Sequence, residues 1–194
     1  MFQYSWDSGR LPQAWKVGLI KLVPKVASPE SLHQWRPISL MGGLYKIFPN
    51  VLANKLQKYL SKLIHLVQYG FIAGKNILHN VLNVQMAMYY AQNTHQELIM
   101  VQLDLEKAYD HVNWSFVSRL MHTMGFGPRM SRLIYLLGHD AVSRVMLNGG
   151  VTLDIALTRS VRQGCPLSPL LFAIVTHPLL VMLSRLATNG DIVG

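Results

Sequence analysis

The segment Leu98-Ile99-Met100-Val101-Gln102-Leu103, closed by Asp104, constrains this chain more than any other. Six largely apolar residues with β-branched members are too few for a core helix and read as a strand covered on both faces. A covered strand needs neighbours, so the chain must build a sheet with helices laid against it. Directly after it the pattern changes to an amphipathic helix over Val112–Met124, with Asn113 or Asp110 available as cap and Gly125 to end it. Asp104 therefore belongs at the open end of a sheet, where a carboxylate and substrate phosphate oxygens can share a hard cation. A plain strand-end acid fits the same spacing, and on spacing alone that simpler role is favoured.

The remaining periodicities fill in the fold. Trp15–Lys25 alternates in its middle and suits a short strand ended by Pro24. Leu44–Val67 carries an apolar stripe of Ile47, Val51, Leu52, Leu56, Tyr59, Leu60, Leu63 and Ile64, with Lys55, Lys58 and Lys62 on another face. Pro49 is awkward there, because proline suits a first helical turn and kinks an interior. Helices are also expected over Ile77–Gln92 and Pro128–Leu137. Ala141–Leu147 and Val151–Leu157 flank Asn148-Gly149-Gly150, a hairpin signal. A Gly/Pro loop, Arg162–Pro169, leads into a last apolar helix. The order predicts an α+β fold, helices packed on a small antiparallel sheet.

Composition narrows the function classes. Of 194 residues 51% are hydrophobic and 14% charged, so the chain is built to fold. A net charge of +9 points toward a polyanion such as nucleic acid. One cysteine, Cys165, excludes an internal disulfide and a cysteine-rich zinc site, and suits a reducing intracellular compartment. The histidines show no metal-ligand spacing, so no zinc is expected. Met1–Gly9 lacks the pattern of a signal peptide, and Leu167–Leu183 reads as a core helix and not a membrane span; nuclear or cytoplasmic residence and no membrane partner are expected.

The second chemistry-bearing stretch is Arg159-Ser160-Val161-Arg162-Gln163-Gly164-Cys165-Pro166-Leu167-Ser168-Pro169. Arginines, a glutamine and a glycine before a Pro-started helix offer phosphate-facing donors, and equally good structural punctuation. Other blocks accompany it: Val23-Pro24-Lys25, Trp35-Arg36-Pro37-Ile38-Ser39-Leu40, Tyr45-Lys46-Ile47, Val51-Leu52-Ala53-Asn54-Lys55-Leu56, Gln68-Tyr69-Gly70-Phe71, Asp104 through Trp114, and Asn148-Gly149. In this order, from about Arg10 to Ala187, the sequence resembles the reverse transcriptase domain of plant non-LTR (LINE-type) retrotransposons.

That resemblance implies an RNA-directed DNA polymerase with a right-hand polymerase fold. Residues 1–97 would form a fingers-like part and 98–194 an incomplete palm, with no thumb. By the same resemblance Asp104 is the first catalytic aspartate and a magnesium ligand, and the backbone carbonyl of Leu105 also faces metal. Tyr109 is the aromatic gate under the incoming sugar. Gln163 and Gly164 pack against the nascent base pair, and Lys25 and Arg36 grip the triphosphate. Lys55, Lys75 and Arg162 are weaker candidates for contact with nucleic acid. The implied partners are an RNA template, a DNA primer and deoxynucleoside triphosphates, and the implied cofactor is Mg2+.

The sequence also departs from the family. The family's remaining metal-binding acids lie in an aromatic-Ala-Asp-Asp hairpin, whereas after Gly164 the sole acid here is Asp191. Cys165 stands where relatives usually carry Asp, Lys75 where they carry Arg, and Pro49 where they carry a helix-compatible residue. A truncated, degraded copy explains these together, and the expectation is a domain fragment inactive as an isolated chain. The alternatives are a nucleic-acid-binding remnant without catalysis, or a functionless pseudogene product.

Overall fold

In the computed structural model, residues 4 and 7–191 are described. A short helix α1 (Gln13–Lys16) runs straight into strand β1 (Val17–Pro24), and a 3-10 turn at Leu32–Gln34 leads to β2 (Trp35–Leu40). Helices α2 (Gly43–Leu63) and α3 (Leu78–Thr94) follow, then α4 (Trp114–Thr123) and α5 (Pro128–Gly138). Strands β3 (Val142–Leu147), β4 (Gly150–Val151) and β5 (Ile155–Ala156) precede the last helix, α6 (Ser168–Asn189).

The sheet is mixed, which corrects the antiparallel expectation. Its order is β2-β1-β3-β4, with β5 also on β3. β1 pairs antiparallel with β2 and parallel with β3, in the register Val17↔Val142 to Lys21↔Met146. Hairpin logic fixes direction only where a tight turn joins two strands; β1 and β3 are joined by a long crossover, which permits parallel pairing. The sheet thus joins segments on both sides of Glu97.

The hairpin forms as the sequence predicts. Asn148 (φ 48°) and Gly149 (φ 78°) both occupy the left-handed region that a two-residue hairpin turn requires. The return strand breaks between β4 and β5, where the Thr152 hydroxyl accepts the Val145 amide at 2.9 Å in place of a backbone carbonyl.

Leu98–Leu103 is not a strand. It has no ladder partner, and Ile99, Val101 and Leu103 are 87%, 72% and 78% exposed. A run of apolar side chains becomes a strand only where a neighbouring edge takes up its amides and carbonyls, and no described strand lies alongside. α3 shares this condition, with no buried residue along its length. The surface of the chain is 13053 Å², against about 9,300 Å² for a compact monomer of its mass.

The core lies among the other helices. α2 buries Tyr45, Phe48, Pro49, Leu52, Ala53, Leu56 and Leu60, a narrower stripe than the sequence suggests; Ile47, Val51, Tyr59 and Leu63 are not buried. Pro49 sits inside the helix, among the most enclosed side chains. This stripe packs toward α5 and α6 and shares one core with Val117 and Met121 of α4, Leu133 and Ile134 of α5, and Leu171 and Ile174 of α6. Each such side chain contributes roughly 1.5–3 kcal/mol by burial. α6 is long and apolar enough to cross a membrane, and its first half, with Leu170, Leu171, Ala173 and Ile174, belongs to this core.

Candidate functional site

The pairing of β1 with β2 brings two cations together. Val23 lies opposite Arg36, and the Lys25 amide continues the register by donating to the Gln34 carbonyl at 2.7 Å. Side chains alternate along a strand, so Lys25 and Arg36 fall on one face as diagonal neighbours. Both are exposed. The Lys25 ammonium donates one proton to the His33 carbonyl at 2.7 Å, which leaves two for a ligand.

The segment from Asp104 is a run of turns, not a strand end. Lys107 has φ 50°, and the Asp110 amide closes a turn on the Lys107 carbonyl at 2.8 Å. Glu106 lies 4.0 Å from His33 Nδ1 and 3.9 Å from Lys107 Nζ. Beyond it the chain zips to the approach of the Gln-Gly loop. The Val161 amide donates to the Tyr109 carbonyl and the Ser160 amide to the Val112 carbonyl, both at 2.9 Å, and Trp114 Nε1 donates to the Ser160 carbonyl at 3.0 Å. Asn113, not Asp110, caps α4, accepting from the amides of Ser115 and Phe116. Asp110 instead accepts from the Ser160 hydroxyl at 3.3 Å. The half-buried Tyr109 ring packs on Phe172, centroids 5.3 Å apart, and burial pushes its phenol pKa up.

The Gln163-Gly164 loop is fixed by its own backbone. Ser168 Oγ donates to the Arg162 carbonyl at 2.8 Å, and the Cys165 amide donates to the same oxygen at 3.1 Å. Arg162 does not line the cleft that holds Lys25 and Arg36. It is 6% exposed and its Nη2 turns inward to the carbonyls of Lys16 and Val142, stapling β1 to β3 where their pairing begins. Its guanidinium lies 5.6 Å from the Tyr45 ring centroid.

These parts border one cleft of about 1030 Å³. Lys25, Arg36, Asp104, Leu105, Tyr109, Gln163 and Gly164 all line it, together with His33, Glu106 and Asp110. Lys55 and Lys75 lie outside it. Lys75 donates to the carbonyls of His65 and Leu66 at 2.9 and 3.1 Å, and partial desolvation lowers its pKa. One lining group had no signal in the sequence: His33 reaches the cleft only because β1 pairs with β2. Ser39, outside the cleft, ties β2 to the loop by donating its amide to the Gln163 carbonyl at 3.0 Å.

Residues 23–189 match the family described as reverse transcriptase (RNA-dependent DNA polymerase). The chain belongs to the reverse transcriptase family. Similar proteins include the transposon TX1 uncharacterized 149 kDa protein of Xenopus laevis, 29% identical over 97% of this chain. The Pol polyprotein of a type-1 R2 element in Popillia japonica is 28% identical over 96%, and the RNA-directed DNA polymerase of the mobile element jockey in Drosophila melanogaster 26% over 90%. The chain spans 16%, 26% and 19% of the lengths of these three relatives. It is therefore a reverse transcriptase domain of non-LTR retrotransposon relationship.

Reverse transcriptases as a family are metal-dependent. Two-metal phosphoryl transfer needs ions about 3.5–4 Å apart, held by several carboxylate oxygens. Among the described residues of this domain no three His, Cys, Asp or Glu side chains converge to hold an ion. Glu106 lies beside the Lys107 ammonium, Asp110 accepts from Ser160, and Asp104 is exposed in the cleft. This donor set does not fit a pair of magnesium ions. What the cleft offers with its own groups is binding chemistry: two cations, an aromatic ring, and amide and backbone donors.

Proposed function

We propose that the cleft is the nucleotide site of an RNA-directed DNA polymerase domain from a LINE-type retrotransposon. The juxtaposition of Lys25 and Arg36 with Asp104, Tyr109 and Gln163-Gly164 around one cavity carries this reading. Lys25 and Arg36 take triphosphate oxygens by charge-assisted hydrogen bonds. Tyr109 lies beneath the sugar, and Gln163 and Gly164 meet the new base pair. Asp104 and the Leu105 carbonyl are the positions that face magnesium in the complete centre of the family. Lys55 and Lys75, away from the cleft, are left for backbone contact with an RNA template and DNA primer. The spelling of the motif blocks supports a plant-type element, a right-hand architecture with fingers over 1–97 and palm over 98–194, and a centre incomplete within these residues.

Binding and orientation are the steps these residues perform. A primer-extension assay with an RNA template, magnesium and deoxynucleotides tests the reading. The 194-residue chain and its Asp104→Ala variant are expected to be equally inactive. Extension by the unaltered chain that vanishes in the variant would mean that the centre is complete after all. A non-catalytic nucleic-acid-binding role is favoured by the net charge of +9; affinity for an RNA–DNA duplex that falls steeply with salt supports it.

A further inference from the structure

Beside the cleft lies a second cavity, of about 420 Å³, lined by Ile20 of β1, Ser39 of β2, Ser143 of β3 and the approach to the Gln-Gly loop. It shares Pro37, Asp110 and Gln163 with the cleft. Two of its lining side chains are almost wholly buried and incompletely bonded. Arg162 uses Nη2 on two carbonyls, while its Nε and Nη1 have no hydrogen-bond partner. Ser143, 1% exposed, has an unpartnered hydroxyl.

Both groups converge over Gly18. A Cβ placed on that glycine would lie 3.7 Å from Arg162 Nε and 3.7 Å from Ser143 Oγ. A methyl group there would make ordinary contact with both, so the two donors meet where Gly18 of β1 pairs with Ser143 of β3. A second cation, the exposed Arg159, also lines the cavity. The lining includes one acid, Asp110, whose Oδ1 is already engaged by the Ser160 hydroxyl. On its other side the guanidinium meets the Tyr45 ring, a neutral phenol whose pKa burial raises further.

A buried cation with unused donors is costly unless an acceptor, and preferably an anion, meets it. Water would satisfy the donors, and the single carboxylate of Asp110 would leave one of the two arginine charges in the lining unbalanced. We propose that this cavity is an oxyanion site that takes one phosphate group, with Arg162 and Ser143 as its inner donors and Arg159 at its mouth. The phosphate comes either from the free ion or from a nucleic-acid backbone passing the adjoining cleft.

Inorganic phosphate, titrated into the 194-residue chain at constant ionic strength, is the probe. The site predicts saturable broadening of the phosphate 31P resonance and a saturable rise in the unfolding midpoint. Ser143→Ala and Arg159→Gln should each move saturation to at least several-fold higher phosphate; general salting effects act on all variants alike and cancel in the comparison. If Ser143→Ala does not fold, Arg159→Gln and the resonance of the unaltered protein carry the test. A short oligodeoxynucleotide that reverses the broadening identifies a backbone phosphate, and one that leaves it unchanged identifies the free ion. Absence of broadening, or saturation in both variants at the phosphate concentration that saturates the unaltered protein, means that the cavity holds water only and overturns the proposal.

Discussion

The Ser39 amide donates to the Gln163 carbonyl at 3.0 Å, and the Ser39 carbonyl lies 3.0 Å from where a Cβ on Gly164 would stand. One residue at the end of β2 thus both holds the loop and sets how close it comes. Lys25 and Arg36 extend from the same ribbon, so the distance between the cations and the Gln-Gly loop is fixed by backbone pairing.

Gly164→Ala should therefore be damaging. Its φ of +101° is one that side-chain-bearing residues rarely adopt, and the new methyl would press on backbone. The expected loss is about 1–3 kcal/mol, read as a lower urea midpoint. Gly149→Ala, also at positive φ but with nothing within 4 Å, should cost less. Equal losses at the two positions would remove the close approach from the account.

Leu98–Leu103 should exchange its amide hydrogens fast, because no ladder protects them. The buried positions Leu52, Leu56 and Leu60 of α2 should exchange slowest. Hydrogen exchange read by mass spectrometry checks this, and slow exchange over 98–103 would mean that the expected strand forms in solution.

That segment also marks the limit of what the sequence made legible. Local signals held where local physics decides them. Asn148-Gly149 forms its turn because both positions need positive φ, and Asn113 caps α4 because its carboxamide reaches two free amides. The strand over 98–103 is decided by a partner edge, which composition does not reveal. The parallel pairing of β1 with β3 and the inward turn of Arg162 depend on segments far apart in the chain. On α2 the apolar face was legible, but which part of it joins the core with α4–α6 was not. For the site, the motif blocks named Lys25, Arg36, Asp104, Tyr109 and Gln163-Gly164, while His33 became visible only through strand register and the hold of Ser39 on the loop only through its bond to Gln163.

Stability should fall as pH drops through the imidazole range. His177 Nδ1 accepts the His65 amide at 3.1 Å, and burial, then the neighbouring His65, lowers its pKa from the ordinary value. A lowered folded-state value means that the unfolded chain binds the proton more readily. The His177 contribution is whole above about pH 6.5 and is lost as pH falls through the lowered value. Lys75, which donates to the His65 carbonyl, adds positive charge on the loop side. His177→Asn keeps an acceptor without titrating, so its urea midpoint should decline less than that of the unaltered protein between pH 7 and pH 5. Parallel declines would exclude His177 as the source.

The central claim is that Lys25 and Arg36 face a nucleotide in the cleft that Asp104, Tyr109 and Gln163-Gly164 share. Equilibrium binding of a deoxynucleoside triphosphate to the chain, beside Arg36→Ala and Lys75→Ala, tests it most directly. Loss of one charge-assisted hydrogen bond, about 1.5–3 kcal/mol, predicts affinity roughly 10- to 100-fold weaker for Arg36→Ala. Lys75 lies outside the cleft, so Lys75→Ala should bind as the unaltered chain does. No binding by the unaltered chain, or equal weakening in both variants, would contradict the account.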